Sequence, residues 1–180
     1  MSRPFDHIVV LDFESTCKEG TPPDPQEIIE LPSVLVSLKD RTVVDAFETF
    51  VRPVHHPRLD PFCTELTSIR QDQVDGAPAF LDAYALHRAW LAGHGLVPPA
   101  EAASAGGGEA DRFVFVTCGD WDLSTMLPAQ CAASQLPVTE LPRVYRRWCN
   151  IKKPFGAAFQ RDKGFGMPTM LESLGLQLEG

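Results

Sequence analysis

Asp12 and Glu14 stand two residues apart at the end of an apolar run, His7 to Phe13 (HIVVLDF). In an extended strand that spacing puts both carboxylates on one side and Phe13 on the other. Carboxylates so placed repel one another unless each is solvated, one is protonated, or a cation lies between them. Hard divalent cations that prefer oxygen ligands, Mg²⁺ or Mn²⁺, suit such a pair. Taken alone, the pair also reads as a solvated strand end. A third carboxylate, Asp122, follows in Cys118-Gly119-Asp120-Trp121-Asp122, where a strand gives way to a helix. A strand beside the first would carry Asp122 toward Asp12 and Glu14, at the mouth where α/β sheets hold their sites. Asp122 is also readable as an acid at a helix start, and it can cap and still ligate.

Other metal chemistry is disfavoured. The five cysteines are scattered without a CxxC pair, and the five histidines form no HExxH, so a disulfide framework, a zinc knuckle and a His-ligated zinc site are not expected. The formal charge of −8 argues against coating nucleic acid through bulk electrostatics. Local charge differs: Arg143 to Lys163 holds seven basic residues against one acid, interleaved with Tyr145, Trp148, Phe155 and Phe159. That segment reads either as a surface tracking a nucleic-acid backbone or as a solvated face over core aromatics. The apolar stretches are too short to span a bilayer or form a signal-peptide core, so a soluble, cytoplasmic protein is expected, with a nuclear location left open.

The elements that must position the acids can be read from periodicity. His7 to Phe13 reads as a buried central strand, Ile28 to Leu38 as a second strand bent at Pro32, and Thr42 to Val51 as a third, joined by a turn at Lys39-Asp40-Arg41. A proline-rich crossing follows from Pro53 to Pro61. Phe80 to Leu91 has helical spacing, through Phe80, Tyr84, Leu86 or His87, and Leu91. Residues 97–111, rich in Gly and Ala, read as a surface loop inserted in one domain spanning 1–180. Arg112 to Thr117 is a further strand, Asp122 to Leu136 a helix with an irregularity at Pro128, and Pro168 to Leu174 the start of a last helix closed by Gly175.

Asp12-Phe13-Glu14-Ser15-Thr16-Cys17, Glu27 to Pro32, Phe50-Val51-Arg52-Pro53, Leu66-Thr67-Ser68-Ile69, Gln71-Asp72-Gln73-Val74 and Gly119 to Asp122 occur in order along the chain. Together they resemble the motifs of the DEDDh 3′→5′ exonucleases, above all the Eri-type branch that trims histone mRNA and small interfering RNA. The resemblance implies an RNase-H-like α/β fold, a mixed five-stranded sheet flanked by helices. It also implies a site in which Asp12, Glu14 and Asp122 hold two Mg²⁺ or Mn²⁺ ions, with Asp12 bridging both, Glu14 on the ion that carries the attacking water, and Asp122 supporting the second. The implied substrate is RNA with a free 3′ end, cut to nucleoside 5′-monophosphates, and no protein partner is implied. Phe13, Thr16, Leu66, Ile69 and Trp121 match the positions that grip the terminal nucleotide, although Phe13, Leu66 and Ile69 also read as core.

The family carries two more catalytic residues, a histidine and a fourth aspartate, on a helical segment beyond a stretch like Leu171 to Gly175. No histidine follows His94. The expectation is therefore a C-terminally incomplete domain, lacking its last helix and impaired in turnover. Two other readings accompany it: a catalytically impaired RNA-binding or regulatory protein on an exonuclease fold, and a DNA-directed DEDD exonuclease.

Overall fold

A computed structural model describes residues 5–98, 112–160 and 165–177. Most of the inserted loop read at 97–111 lies outside the described residues, as do Arg161, Asp162 and Lys163 of the basic segment.

The first three long strands form an antiparallel set, the last two of them joined by a short polar turn. Strand β1 (His7–Leu11) pairs with β3 (Ile28–Ser37), and β3 pairs with β4 (Thr42–Phe50). The β3–β4 turn is closed by Ser37 and Asp40: Ser37 Oγ donates to Asp40 Oδ2 at 3.0 Å and accepts from the Asp40 N–H at 3.1 Å. On the other side of β1 lies β5 (Phe113–Thr117), parallel to it, and beyond β5 the parallel β6 (Trp148–Asn150). The order across the sheet is thus β4, β3, β1, β5, β6. The count is six rather than five because a two-residue strand, β2 (Glu14–Ser15), resumes pairing with β3 after a break at Asp12 and Phe13.

The irregularity in the β3–β4 ladder falls between Leu35 and Val36 rather than at Pro32. Pro32 instead lies between Ser33, the last residue paired with β1, and Glu30, paired with β2. A strand can spare an N–H where a ladder is interrupted. Nor is β1 buried on both faces: Val9 and Leu11 enter the core, while Val10 is 38% exposed and borders an apolar cavity of about 410 Å³.

Helix α3 (Phe80–Gly93) covers the core face with Phe80, Ala83, Tyr84, His87 and Leu91. Between the two readings at its middle turn the structure chooses His87, leaving Leu86 exposed. Burying an imidazole requires partners, and His87 has them: Nε2 lies 3.0 Å from Ser33 Oγ and Nδ1 2.9 Å from Tyr145 Oη. Burial lowers its pKa to about 3, so the ring is neutral.

Two short helices occupy the stretch after the proline-rich crossing. In α1 (Pro61–Thr67) Asp60 Oδ1 accepts from the Phe62 N–H and Pro61 takes the first turn, where its missing N–H costs nothing. Helix α2 (Gln71–Asp75) follows, and Cys63, Ile69 and Val74 pack with Ile29 in a second small core. After β5 the expected single helix is split into a π-helical turn (Asp122–Met126) and α4 (Leu127–Ala133). The Leu127 N–H reaches the Asp122 carbonyl five residues back. This wider turn lies directly before Pro128, whose ring a regular helix would press on the preceding turn. The chain ends its described course with α5 (Lys152–Phe159) and α6 (Met167–Ser173), closed by Gly175 at φ +68°. No helix among the described residues is long and apolar enough to cross a membrane.

Candidate active site

Three parallel strands, β1, β5 and β6, end at the same edge of the sheet. Asp12 follows β1, the Cys118 to Asp122 loop follows β5, and Lys152 and Lys153 follow β6. The break that separates β1 from β2 has a specific partner. The Phe13 N–H, freed from the ladder, donates to Asp122 Oδ1 at 2.9 Å across 109 residues of sequence. The buried Asp122 carboxylate is thus turned onto the end of β1.

The acids perturb one another. Glu14 is half-buried, and its pKa is raised to about 7, first by burial and then by the charges of Asp12, Glu30 and Asp122. Asp12 is an exposed residue, yet its carboxyl has lost enough water to its neighbours that burial is the first cause of its raised pKa, with Asp122 second. Burial raises Asp122 too, opposed by the Phe13 hydrogen bond. No Lys, Arg or His is among the groups that shift these three. Mutual repulsion without a cationic partner, from hard oxygen donors, fits the binding of divalent cations. Among the described residues no three His, Cys, Asp or Glu side chains are already gathered as a cage for one ion.

Of the residues matched to nucleotide contacts, two present apolar surface: Leu66 on α1, 66% exposed, and Trp121, 41% exposed beside Asp122. Phe13, Thr16 and Ile69 are buried. Phe13 and Ile69 are side chains of the two hydrophobic clusters. Thr16 is buried with Oγ1 accepting from the Glu27 N–H at 2.9 Å, and its own N–H donates to the Glu27 carbonyl at 2.8 Å.

The basic segment is divided. Trp148 pairs with Phe115 at the middle of β5, so Arg143, Arg146 and Arg147 precede β6 toward the far edge of the sheet, where Arg147 lies 5.9 Å over the Phe5 ring. Among the described basic residues of the segment, Lys152 and Lys153 follow β6 at the acid edge. The described arginines and lysines of the segment thus lie toward opposite ends of β6, and Phe155 is buried.

Two acids not singled out in the sequence organise the site. Glu27 is buried, and its carboxylate accepts the N–H groups of Val54, His55 and His56 at 2.6, 2.8 and 2.8 Å, pinning that loop beneath Thr16. Asp120 accepts from Trp148 and Asn150, and these bonds hold its carboxyl below the usual range. Both contacts span elements remote in sequence, so no local spacing announces them.

A mixed sheet of this order, with acids at the ends of β1 and β5, has the architecture of an RNase-H-like nuclease. The exonuclease family profile matches residues 9–180. The chain is 38% identical to ERI1 exoribonuclease 3 of Homo sapiens over 173 residues, 96% of this chain and 47% of that protein. It is 35% identical to the 3′-5′ exoribonuclease 1 of Homo sapiens over 178 residues, 98% of this chain and 47% of that protein. The chain spans about half the length of the curated relatives it matches. The solved nuclease domain of 3′hExo, a DEDDh family member bound to rAMP, is similar with a TM-score of 0.84 and 34% identity, over 98% of this chain and 82% of that one. The chain belongs to the DEDDh exonucleases, in their Eri-type branch, a family dependent on divalent metals.

Proposed function

We propose that this chain is the catalytic domain of a 3′→5′ exoribonuclease that hydrolyses RNA from a free 3′ end, releasing nucleoside 5′-monophosphates with two Mg²⁺ or Mn²⁺ ions. The observation that carries the proposal is the meeting of Asp12, Glu14 and Asp122 at one sheet edge, each with its proton affinity raised and no cation among the causes. Solved relatives support RNA as substrate: one is a nuclease domain bound to rAMP, and another shows 3′-end-specific recognition of a histone mRNA stem-loop.

Asp12, Glu14 and Asp122 would hold the ions. When bound, such ions clamp the attacking and leaving oxygens of the scissile phosphate and lower the pKa of water. The chain's own residues do the rest. The Phe13 N–H fixes one oxygen of Asp122, so this carboxylate keeps its orientation without a cation. The exposed faces of Leu66 and Trp121 accept the terminal base through apolar contact and stacking, which tolerates any base. None of the described histidines is among the groups acting on the three acids; His87 is sealed in the core.

The test uses the full-length protein and 5′-labelled RNA, comparing wild type with Asp12→Asn in Mn²⁺, in Mg²⁺ and in chelator. Expected are single-nucleotide ladders and 5′-monophosphates, lost in chelator and reduced at least 10²-fold by Asp12→Asn. Hydrolysis indifferent to both changes, or internal cleavage of RNA with a blocked 3′ end, would contradict the proposal.

A further inference from the structure

The loop that carries Trp121 and Asp122 is anchored twice, and only one anchor belongs to the acids. Asp122 is tied to β1 through the Phe13 N–H. Asp120, on the other side of Trp121, is tied to β6 and α5. Its Oδ1 accepts from Trp148 Nε1 at 2.9 Å and lies 3.5 Å from Lys153 Nζ, and its Oδ2 accepts from Asn150 Nδ2 at 3.0 Å. Trp148 and Asn150 are two apart on a strand and so present their side chains to the same side. The Asn150 amide cannot turn round freely, because its Oδ1 accepts the Lys152 N–H at 3.1 Å. Position 120 must therefore accept on both side-chain oxygens, which a carboxylate does and an amide does not.

The backbone of the loop is fixed as well. Gly119 has φ +141°, a conformation side chains avoid, and its carbonyl accepts from Thr117 Oγ1 at 2.6 Å. The Asp120 carbonyl accepts the Ser124 N–H at 2.9 Å. What this bracing leaves free is the indole of Trp121, 41% exposed beside a buried acid.

We propose that Asp120 is a positioning residue for recognition of the 3′-terminal nucleobase. By bracing the loop against β6 it holds the Trp121 indole as a pre-set stacking shelf. The inference rests on the reading of this mouth as the site for an RNA 3′ end. A shelf already in place spares the ordering cost that a mobile side chain must meet on binding.

The experiment compares two RNAs that differ only in whether the last nucleotide carries its base or is abasic. Full-length wild type, Asp120→Asn, Asp120→Glu and Trp148→Phe are measured for KM and kcat, and for Kd with Ca²⁺ in place of Mg²⁺. In wild type the abasic end should weaken KM and Kd roughly tenfold, the scale of one base stacked on an aromatic ring. In Asp120→Asn the ratio should shrink to about two- to threefold, because only the base-bearing RNA loses affinity. Trp148→Phe, which removes the indole donor from the opposite side, should move the ratio the same way, and Asp120→Glu should recover part of it. A general loss of folded protein lowers kcat for both RNAs and leaves their ratio alone. An unchanged Kd ratio in Asp120→Asn would overturn the inference even if hydrolysis is intact. A wild type indifferent to the terminal base would overturn it together with the role of Trp121. A ratio that responds as expected in a protein that never cuts RNA would support the positioning and refute the proposed function.

Discussion

Glu27 and the pair Asp12 and Glu14 are acids within one short stretch of the same sheet, and they are treated in opposite ways. Glu27 is 2% exposed, and both of its oxygens are occupied by the backbone N–H groups of Val54, His55 and His56. A carboxylate so satisfied can be buried because hydrogen bonds replace its water. Asp12 and Glu14 are less buried, yet they meet each other, Asp122 and Glu30 in place of donors. The difference separates an acid whose lost water is replaced by donors from acids whose lost water is not.

The comparison can be broken from either side. Glu27→Ala should be the most destabilising change considered, at about 3 kcal/mol, because it strips charge-assisted bonds from three N–H groups in a partly buried loop. Urea unfolding measures this, and divalent-ion binding per folded molecule should be unaltered. A stability equal to wild type would mean that the loop holds its place without the carboxylate.

A smaller effect is expected from pH. With its pKa raised from 4.5 to about 7, Glu14 keeps its proton in the native state over a range in which the unfolded chain has released it. The native state then binds more protons, so in metal-free buffer stability should fall as pH rises from 4.5 to about 7 and level off above. Asp12 and Asp122 are shifted in the same direction and add to the trend. Glu14→Gln should flatten the decline in the melting temperature. A decline of equal steepness in that variant would show that Glu14 is not the group responsible.

Much of this site could be read from local pattern. The two-residue spacing of Asp12 and Glu14 and the strand-to-helix step at Trp121 depend only on neighbours in sequence, and the hairpin of β3 and β4 follows from alternation around a short turn. What escaped the sequence depends on distant partners. Strand β6 is three residues long and takes its partner, β5, from more than thirty residues earlier, so no periodicity marks it. Helices α1 and α2 are too short for an apolar stripe, although Asp60-Pro61 is a start signal visible in hindsight. Aromatic and aliphatic residues near the acids were harder still: Phe13 and Ile69 share a residue class with Leu66 and Trp121, and only the packing around them separates buried from exposed.

The most direct measurement of the central claim, that Asp12, Glu14 and Asp122 together bind divalent cations, is a Mn²⁺ titration of the folded full-length protein without RNA. Calorimetry at about pH 6 and about pH 8 should show binding that strengthens with pH and releases protons, because Glu14 must ionise to ligate. Asp12→Asn should lose that binding, while Glu27→Gln, if folded, should keep it. Equal Mn²⁺ affinity in wild type and Asp12→Asn, with no dependence on pH, would contradict the claim.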